Sequence, residues 1–186
     1  MLDELFADAK DRMDKAVEAV RKEFAKIRTG KATVSLLDGV KLEYYGTNVP
    51  LRQVANISVP EARLLVVQPW DKKIIGDIEK AILSADLGLN PSSDGNLIRV
   101  PIPPLTEERR KEMVRYVHKL AEEGRIAVRN IRREVNETLK QMHKDGEISE
   151  DDFHRAHDKV VQEMTDESVR EVDQTLGAKE EELMEV

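Results

Sequence analysis

Between Glu107 and Lys144 the apolar residues recur at intervals of three and four without a break. On a helix turning about 100° per residue, Met113, Val117, Leu120, Gly124, Val128, Ile131, Val135, Leu139 and Met142 fall along one face. Lys111, Arg115, His118, Arg125, Arg129, Arg132, Arg133, Asn136 and Lys140 fall along another, well away from the first. One face requires a core and the other gathers positive charge. Helices of this kind draw their stability from packing an apolar stripe against partners, so the rest of the chain must supply them.

The charge on the second face is out of keeping with the chain, whose 186 residues carry a formal net charge of -7. Two readings fit. A cationic helix face on an anionic protein suits RNA or another polyanion, bound locally and in one orientation rather than by general attraction. Alternatively it is a solvated face laced with local ion pairs, since Glu122, Glu123, Glu134 and Glu137 lie nearby. Charged residues make up 36% and aromatics only 4%, which favours long exposed helices with thin aliphatic cores over a β-sandwich or a deep substrate pocket. The absence of cysteine excludes disulfides, thiolate metal sites and cysteine catalysis. The acidic, amphipathic start Met1–Asp8 has no apolar signal core and no run reaches the length of a membrane span, so a cytoplasmic protein without membrane contact is expected.

Two further stretches carry helical stripes. Leu2, Leu5, Phe6, Ala9, Met13, Ala16, Val17, Val20, Phe24 and Ile27 predict a helix over residues 2–28, stopped by Thr29-Gly30, with Arg28 in its last turn where a cation suits the dipole. Ser149-Glu-Asp-Asp152 has the form of a capping box, with Asp in place of Glu at its fourth position. The helix it opens would bury Phe153, Ala156, Val160, Met164, Ser168, Val172 and Leu176, and the acidic tail Glu180–Val186 would extend or fray it. Thr106 is a suitable N-cap for the central helix, and Asp145-Gly146 ends it.

Between the first two helices the period changes from helical to alternating. Residues 40–45, 54–59 and 63–68 read as strands, and 46–50 as turn-rich. A helix carrying Ile74, Ile75, Ile78, Ala81, Ile82 and Leu83 follows Trp70-Asp71, and a closing hairpin turns at Asp94-Gly95-Asn96. The expected fold class is therefore α+β. Residues 1–29 and 106–186 form a discontinuous three-helix bundle into which a small β/α/β domain, residues 31–104, is inserted. Two short links, near 29–31 and 103–106, join the domains, and Gly30, Lys31, Pro103, Pro104 and Leu105 are the hinge candidates. A bent molecule with an adjustable elbow is expected, with a fixed domain interface as the alternative.

Some fragments imitate catalytic or metal sites without completing them. Gly30-Lys31-Ala-Thr33 resembles the end of a phosphate-binding loop, but Ala25 stands where the first glycine is required and a helix precedes it. Residues 145–152 resemble half a calcium loop, with Gln141 and His143 where carboxylates are needed. His154 and His157 share a helix face near Asp151 and Asp158, with no further ligand cluster. No nucleophile–base arrangement stands out. A binding factor rather than an enzyme is expected, without cofactor or metal. Gly124 lies mid-helix on the apolar face, where it costs about 1 kcal/mol against alanine unless a neighbouring helix packs closely over it.

Lys26-Ile-Arg-Thr-Gly-Lys31, Ser35-Leu-Leu-Asp-Gly39, Glu43-Tyr-Tyr-Gly-Thr47, Pro50-Leu-Arg-Gln53, Ala85-Asp-Leu-Gly-Leu-Asn-Pro91, Ile98-Arg-Val-Pro-Ile-Pro-Pro-Leu-Thr-Glu-Glu-Arg-Arg-Lys111 and Ala127-Val-Arg-Asn-Ile-Arg-Arg133 together resemble the ribosome recycling factor family, in order and at matching spacing over nearly the whole chain. The resemblance implies an L-shaped pair of domains, a tRNA-like shape. It also implies a factor that binds between the ribosomal subunits after termination and splits them with elongation factor G, which hydrolyses the GTP. In the family the bundle meets large-subunit ribosomal RNA, and the matching arginines here are Arg28, Arg129 and Arg132. Arg125 and Arg133 share the basic face, and Arg28 would join this patch if the topology brings the end of the first helix beside it. The small domain and elbow would face the GTPase, and a monomer is expected.

Overall fold

The computed structural model describes residues 1–185; Val186, the last residue of the acidic tail expected to extend or fray the final helix, lies outside them. The chain is α+β and divides into two compact units, Met1–Ile27 with Glu107–Val186, and Arg28–Thr106. The first unit is a bundle of α1 (Leu2–Ala25), α3 (Glu107–Lys144) and a C-terminal helical stretch. That stretch is α4 (Glu150–His154), a π-helical segment (Arg155–Val160) and α5 (Val161–Met184). The second unit contains strands β1 (Lys41–Tyr44), β2 (Thr47–Pro50), β3 (Ala55–Glu61), β4 (Leu64–Pro69), β5 (Ser92–Ser93) and β6 (Ile98–Pro101), with helix α2 (Ile75–Ser84).

In the bundle α1, α3 and α5 each pack on the other two. The α3 stripe is buried at Val117, Gly124, Val128, Ile131, Val135, Leu139 and Met142, and Ala121 joins it. Ala9 and Met13 of α1 close the core over Val128 to Leu139, together with Ala156 and Val161. At Gly124 the helices come closest: a Cβ built there would stand 2.4 Å from Val20 Cγ2 and 3.9 Å from Val172 Cγ2. The glycine is the space that lets α1 lie against α3.

Two features of the long helices differ from those the sequence predicts. The first helix ends at Ala25, because the amide N–H groups of Lys26 and Ile27 bond three residues back, to the Glu23 and Phe24 carbonyls, and tighten the turn. Arg28 therefore lies outside it, and the basic residue of its last turn is Lys22. In the third helix, Val161 N–H donates to Ala156 O across five residues, adding one residue to a turn. That extra residue shifts the stripe. Val160 and Met164 are only half-buried and Val161 and Thr165 take their places in the core, whereas Ser168, Val172 and Leu176 are buried as the spacing predicts. The cap is as the sequence indicates: the Ser149 hydroxyl accepts from Asp152 N–H at 3.1 Å and donates to the Asp152 carboxylate at 2.8 Å.

The small unit pairs β1 with β2, and places β3, β4, β6 and β5 side by side in an antiparallel sheet. Leu65, Val67, Ile98 and Val100 point from alternate positions of β4 and β6 into a core completed by Ile78 and Ile82 of α2 and by Leu37, Val40 and Leu51. Residues 47–50, which the sequence reads as turn, form β2. Only Tyr45 and Gly46 are needed to reverse the chain, both at positive φ (50° and 77°), as a two-residue hairpin of this twist requires. The turn before β6 is organised by Asp94, whose carboxylate accepts from the Asn96 and Leu97 amides at 3.0 and 3.1 Å and from Arg99 Nη1 at 2.9 Å. These bonds, the Asn96 amide foremost, hold the Asp94 carboxyl at about 2 against a usual 3.8.

Alanine at Gly124 should gain helix propensity but collide with the stiff Val20 side chain, for a net loss of about 1–3 kcal/mol. Gly124→Ala combined with Val20→Ala should melt at a higher temperature than the sum of the two single changes predicts. Because the folded-state pKa of Asp94 is depressed, its stabilisation is complete above the unfolded value and is lost as pH falls through about 2. Thermal melts of Asp94→Ala and the parent between pH 5 and pH 2 should therefore differ most at pH 5 and converge towards pH 2.

Candidate nucleic-acid interface

The α3 helix is the platform of the basic face. Its buried stripe pins its rotation, and with it the side on which residues a quarter to half a turn away project. Arg125, Arg129, Arg132 and Arg133 follow one another at helical spacing along that side. They are not equivalent. Arg125 is mostly buried, its side chain 18% exposed, and it reaches α5: Nε and Nη2 donate to Asp173 Oδ1 at 2.8 and 2.6 Å. Its Nη1 donates to Glu122 Oε2 at 3.1 Å, and Arg129 Nη1 donates to the other oxygen of Glu122 at 3.2 Å. The Arg125 guanidinium, and after it that of Arg129, hold the Glu122 carboxyl below its usual range. Arg132, half-buried, and Arg133, exposed, have no hydrogen bond or ion pair among the described residues. Their planar forks are open to a doubly accepting group such as phosphate.

The reading of this face as one laced with local ion pairs describes its Arg125 and Arg129 end. Glu122 forms local ion pairs, while Arg132 and Arg133 remain uncommitted. Glu134 also lies on α3 but pairs across the bundle with Arg12 of α1. The periodicity carried no sign of Asp173, which is 48 residues from Arg125 and meets it only through helix packing. Arg28 is not brought into the helix-end position expected for it. It belongs to the unit Arg28–Thr106, where its guanidinium donates to the Leu87 carbonyl.

The hinge candidates sit together within that same unit. Gly30 adopts φ 78°, and a Cβ there would come within 3.3 Å of Leu105 N and 3.8 Å of Pro104 Cα. The two connecting segments therefore touch, and with Lys31 and Pro103 they border a cleft of about 170 Å³. The fragments that resemble catalytic or metal sites have local roles. Asp145 accepts both contacts from the Gln141 amide, at 2.8 and 2.9 Å. His157 bonds Asp158 at 2.6 Å, and His143, His154 and His157 all pack against the Phe153 ring. Among the described residues no group of three histidine or acidic side chains is placed to hold a metal ion, and no helix is long and apolar enough to cross a membrane.

Comparison with known proteins follows the whole chain. The sequence profile of the ribosome recycling factor family matches residues 20–184. The ribosome-recycling factor of Desulfatibacillum aliphaticivorans is 55% identical over 185 residues, covering 100% of both chains. That of Desulforamulus reducens is 55% identical over 186 residues, again covering 100% of each. A solution structure of the ribosome recycling factor superposes with a TM-score of 0.78 at 45% identity, over 100% of this chain and 98% of the other. Another similar structure comes from models for the T. thermophilus ribosome recycling factor and the E. coli elongation factor G bound to the E. coli post-termination complex. It has a TM-score of 0.66 and 47% identity, with 100% of both chains covered. With its long-helix bundle, its small β-containing unit and matches along its full length, the chain belongs to the ribosome recycling factor family.

Proposed function

We propose that this protein recycles cytoplasmic ribosomes after termination. It binds between the subunits, lays the basic face of α3 against large-subunit ribosomal RNA and, with elongation factor G and GTP, promotes splitting of the post-termination complex. The observation that carries this reading is the full-length identity to ribosome-recycling factors, which spans both units and the segments joining them. GTP hydrolysis belongs to the partner, and this chain contributes shape, charge and leverage. A helix of 38 residues, about 57 Å long at 1.5 Å per residue, braced by two others, is suited to transmitting force without bending.

Arg132 and Arg133 are the first RNA contacts, because their charge is not spent on a neighbouring carboxylate. Arg129 and Arg125 lie beside them on the same face, and Arg28 is a separate candidate contact within the small unit. The segments at Gly30-Lys31 and Pro103-Pro104-Leu105 form the elbow. Backbone at positive φ next to a stiff proline pair gives few bending directions. The net charge of -7 opposes loose association with RNA and favours one pose.

A splitting assay on post-termination ribosomes should show activity only when this protein, elongation factor G and GTP are all present; splitting that proceeds without the GTPase would contradict the proposal. Arg132→Ala should leave melting unchanged, weaken ribosome binding roughly tenfold at moderate salt, and reduce the slope of log affinity against log salt by about 1. An engineered disulfide that fixes the two units relative to each other should preserve ribosome binding and lower the splitting rate. Full splitting activity in the locked form would exclude a working elbow.

A further inference from the structure

The carboxylate of Glu122 occupies a singular place on the basic face. Each of its oxygens holds a different arginine, Oε2 taking Arg125 and Oε1 taking Arg129. Asp173 takes the Nε and Nη2 edge of Arg125, the edge that would otherwise grip a phosphate with two parallel bonds. Arg129 is tied through a single nitrogen, and Arg132 and Arg133 are not tied to any described residue. Along about 12 Å of helix axis the face therefore grades from a doubly held arginine, through a singly held one, to two free ones. Glu122 is half exposed and Arg129 is 41% exposed. An ion pair this wet is weak and can be exchanged for another anion.

We propose that Glu122 is a specificity-determining residue of the RNA face: an internal counter-ion that RNA phosphate must displace before Arg129 engages. This rests on the reading of α3 as the RNA surface. An RNA that reaches only Arg132 and Arg133 leaves Glu122 in place, and its negative charge repels the next phosphate along the strand. An RNA whose backbone follows the helix one turn further supplies a phosphate to Arg129 in exchange for Glu122. Short or misaligned contacts are thereby disfavoured, and a backbone of matching course is accepted. Asp173 keeps Arg125 as a fixed positive charge at the far end, oriented by the bundle rather than by RNA.

The test compares full-length parent, Glu122→Gln, Glu122→Ala, Asp173→Asn and Arg132→Ala, after melting curves establish that they are folded. Each is titrated with polyuridylate, as an RNA without structure, and with ribosomes, across a range of salt. Releasing Arg129 should tighten polyuridylate binding about fivefold at low salt and steepen its log–log salt slope by roughly 0.7. Ribosome affinity should change less, so discrimination between the two RNAs falls. Asp173→Asn should have a smaller effect, because Glu122 still holds both arginines. Glu122→Ala guards against the glutamine oxygen continuing to accept from Arg129, and the isosteric Glu122→Gln decides if alanine unfolds the helix. If Arg132→Ala weakens binding while both Glu122 variants keep the parent's polyuridylate affinity and slope, the counter-ion role is overturned and the RNA face stands. If Arg132→Ala also binds like the parent, the reading of the face falls and the proposal with it.

Discussion

The structure of the larger unit depends on burying one stripe of α3. Val117, Ala121, Val128 and Leu139 are completely enclosed, and Val135 nearly so. Removing a valine or leucine side chain of this kind from water contributes roughly 1.5–3 kcal/mol, more than an exposed ion pair on the same helix. Burial therefore sets the rotation of α3 about its axis, and the arginines outside the stripe inherit their directions from it. The charge pattern did not have to be specified separately. It follows once α1 and α5 have covered the stripe.

Close helix approach has requirements that the hydrophobic count does not express. Gly124 yields space to Val20, and the π-helical turn at Arg155–Val160 re-phases the last helix so that Val161 meets the core. Both depart from an ideal helix at a local cost. Both are offset by packing that a regular helix could not reach, since interiors tolerate neither overlap nor voids. Thr165 shows the same accommodation at the level of a hydrogen bond. It is buried, and its hydroxyl donates to the Val161 carbonyl at 2.8 Å, satisfying a group that has no access to water.

In the bundle the ion pairs divide into those made within a helix and those made between helices. Lys10 with Asp14, Lys15 with Asp11 and Lys140 with Glu137 are of the first kind, exposed and individually weak. Arg12 with Glu134, Arg21 with Glu171 and Arg125 with Asp173 are of the second and span the bundle. The second kind decides which cations remain available to a partner. Arg132 and Arg133 remain available because no acidic residue of α1 or α5 reaches them, although the chain is acidic as a whole.

Periodicity is enough to read the α+β class and the three long helices, and capping and turn residues the Ser149 cap and the turn at Asp94, because each is set by side-chain spacing or by a hydrogen bond spanning two or three residues. It also placed Arg125, Arg129, Arg132 and Arg133 on one face and marked Gly124 as a point of close packing. Thr47–Pro50 has weak strand character in its residues, and its place as the second strand of the first hairpin comes from pairing with Lys41–Tyr44. A regular 3.6-residue period points Val160 rather than Val161 into the core, because it cannot anticipate an extra residue in a turn. Arg28, which the helical spacing places at a helix end, lies beyond a tightened turn that closes the helix three residues earlier. The sequence by itself thus determined the elements and the sides of helices on which charge would gather. Only the tertiary structure decided which arginines would be held by Glu122 and Asp173 and which left free, because that depends on which helix lies alongside, a contact between residues distant in the chain.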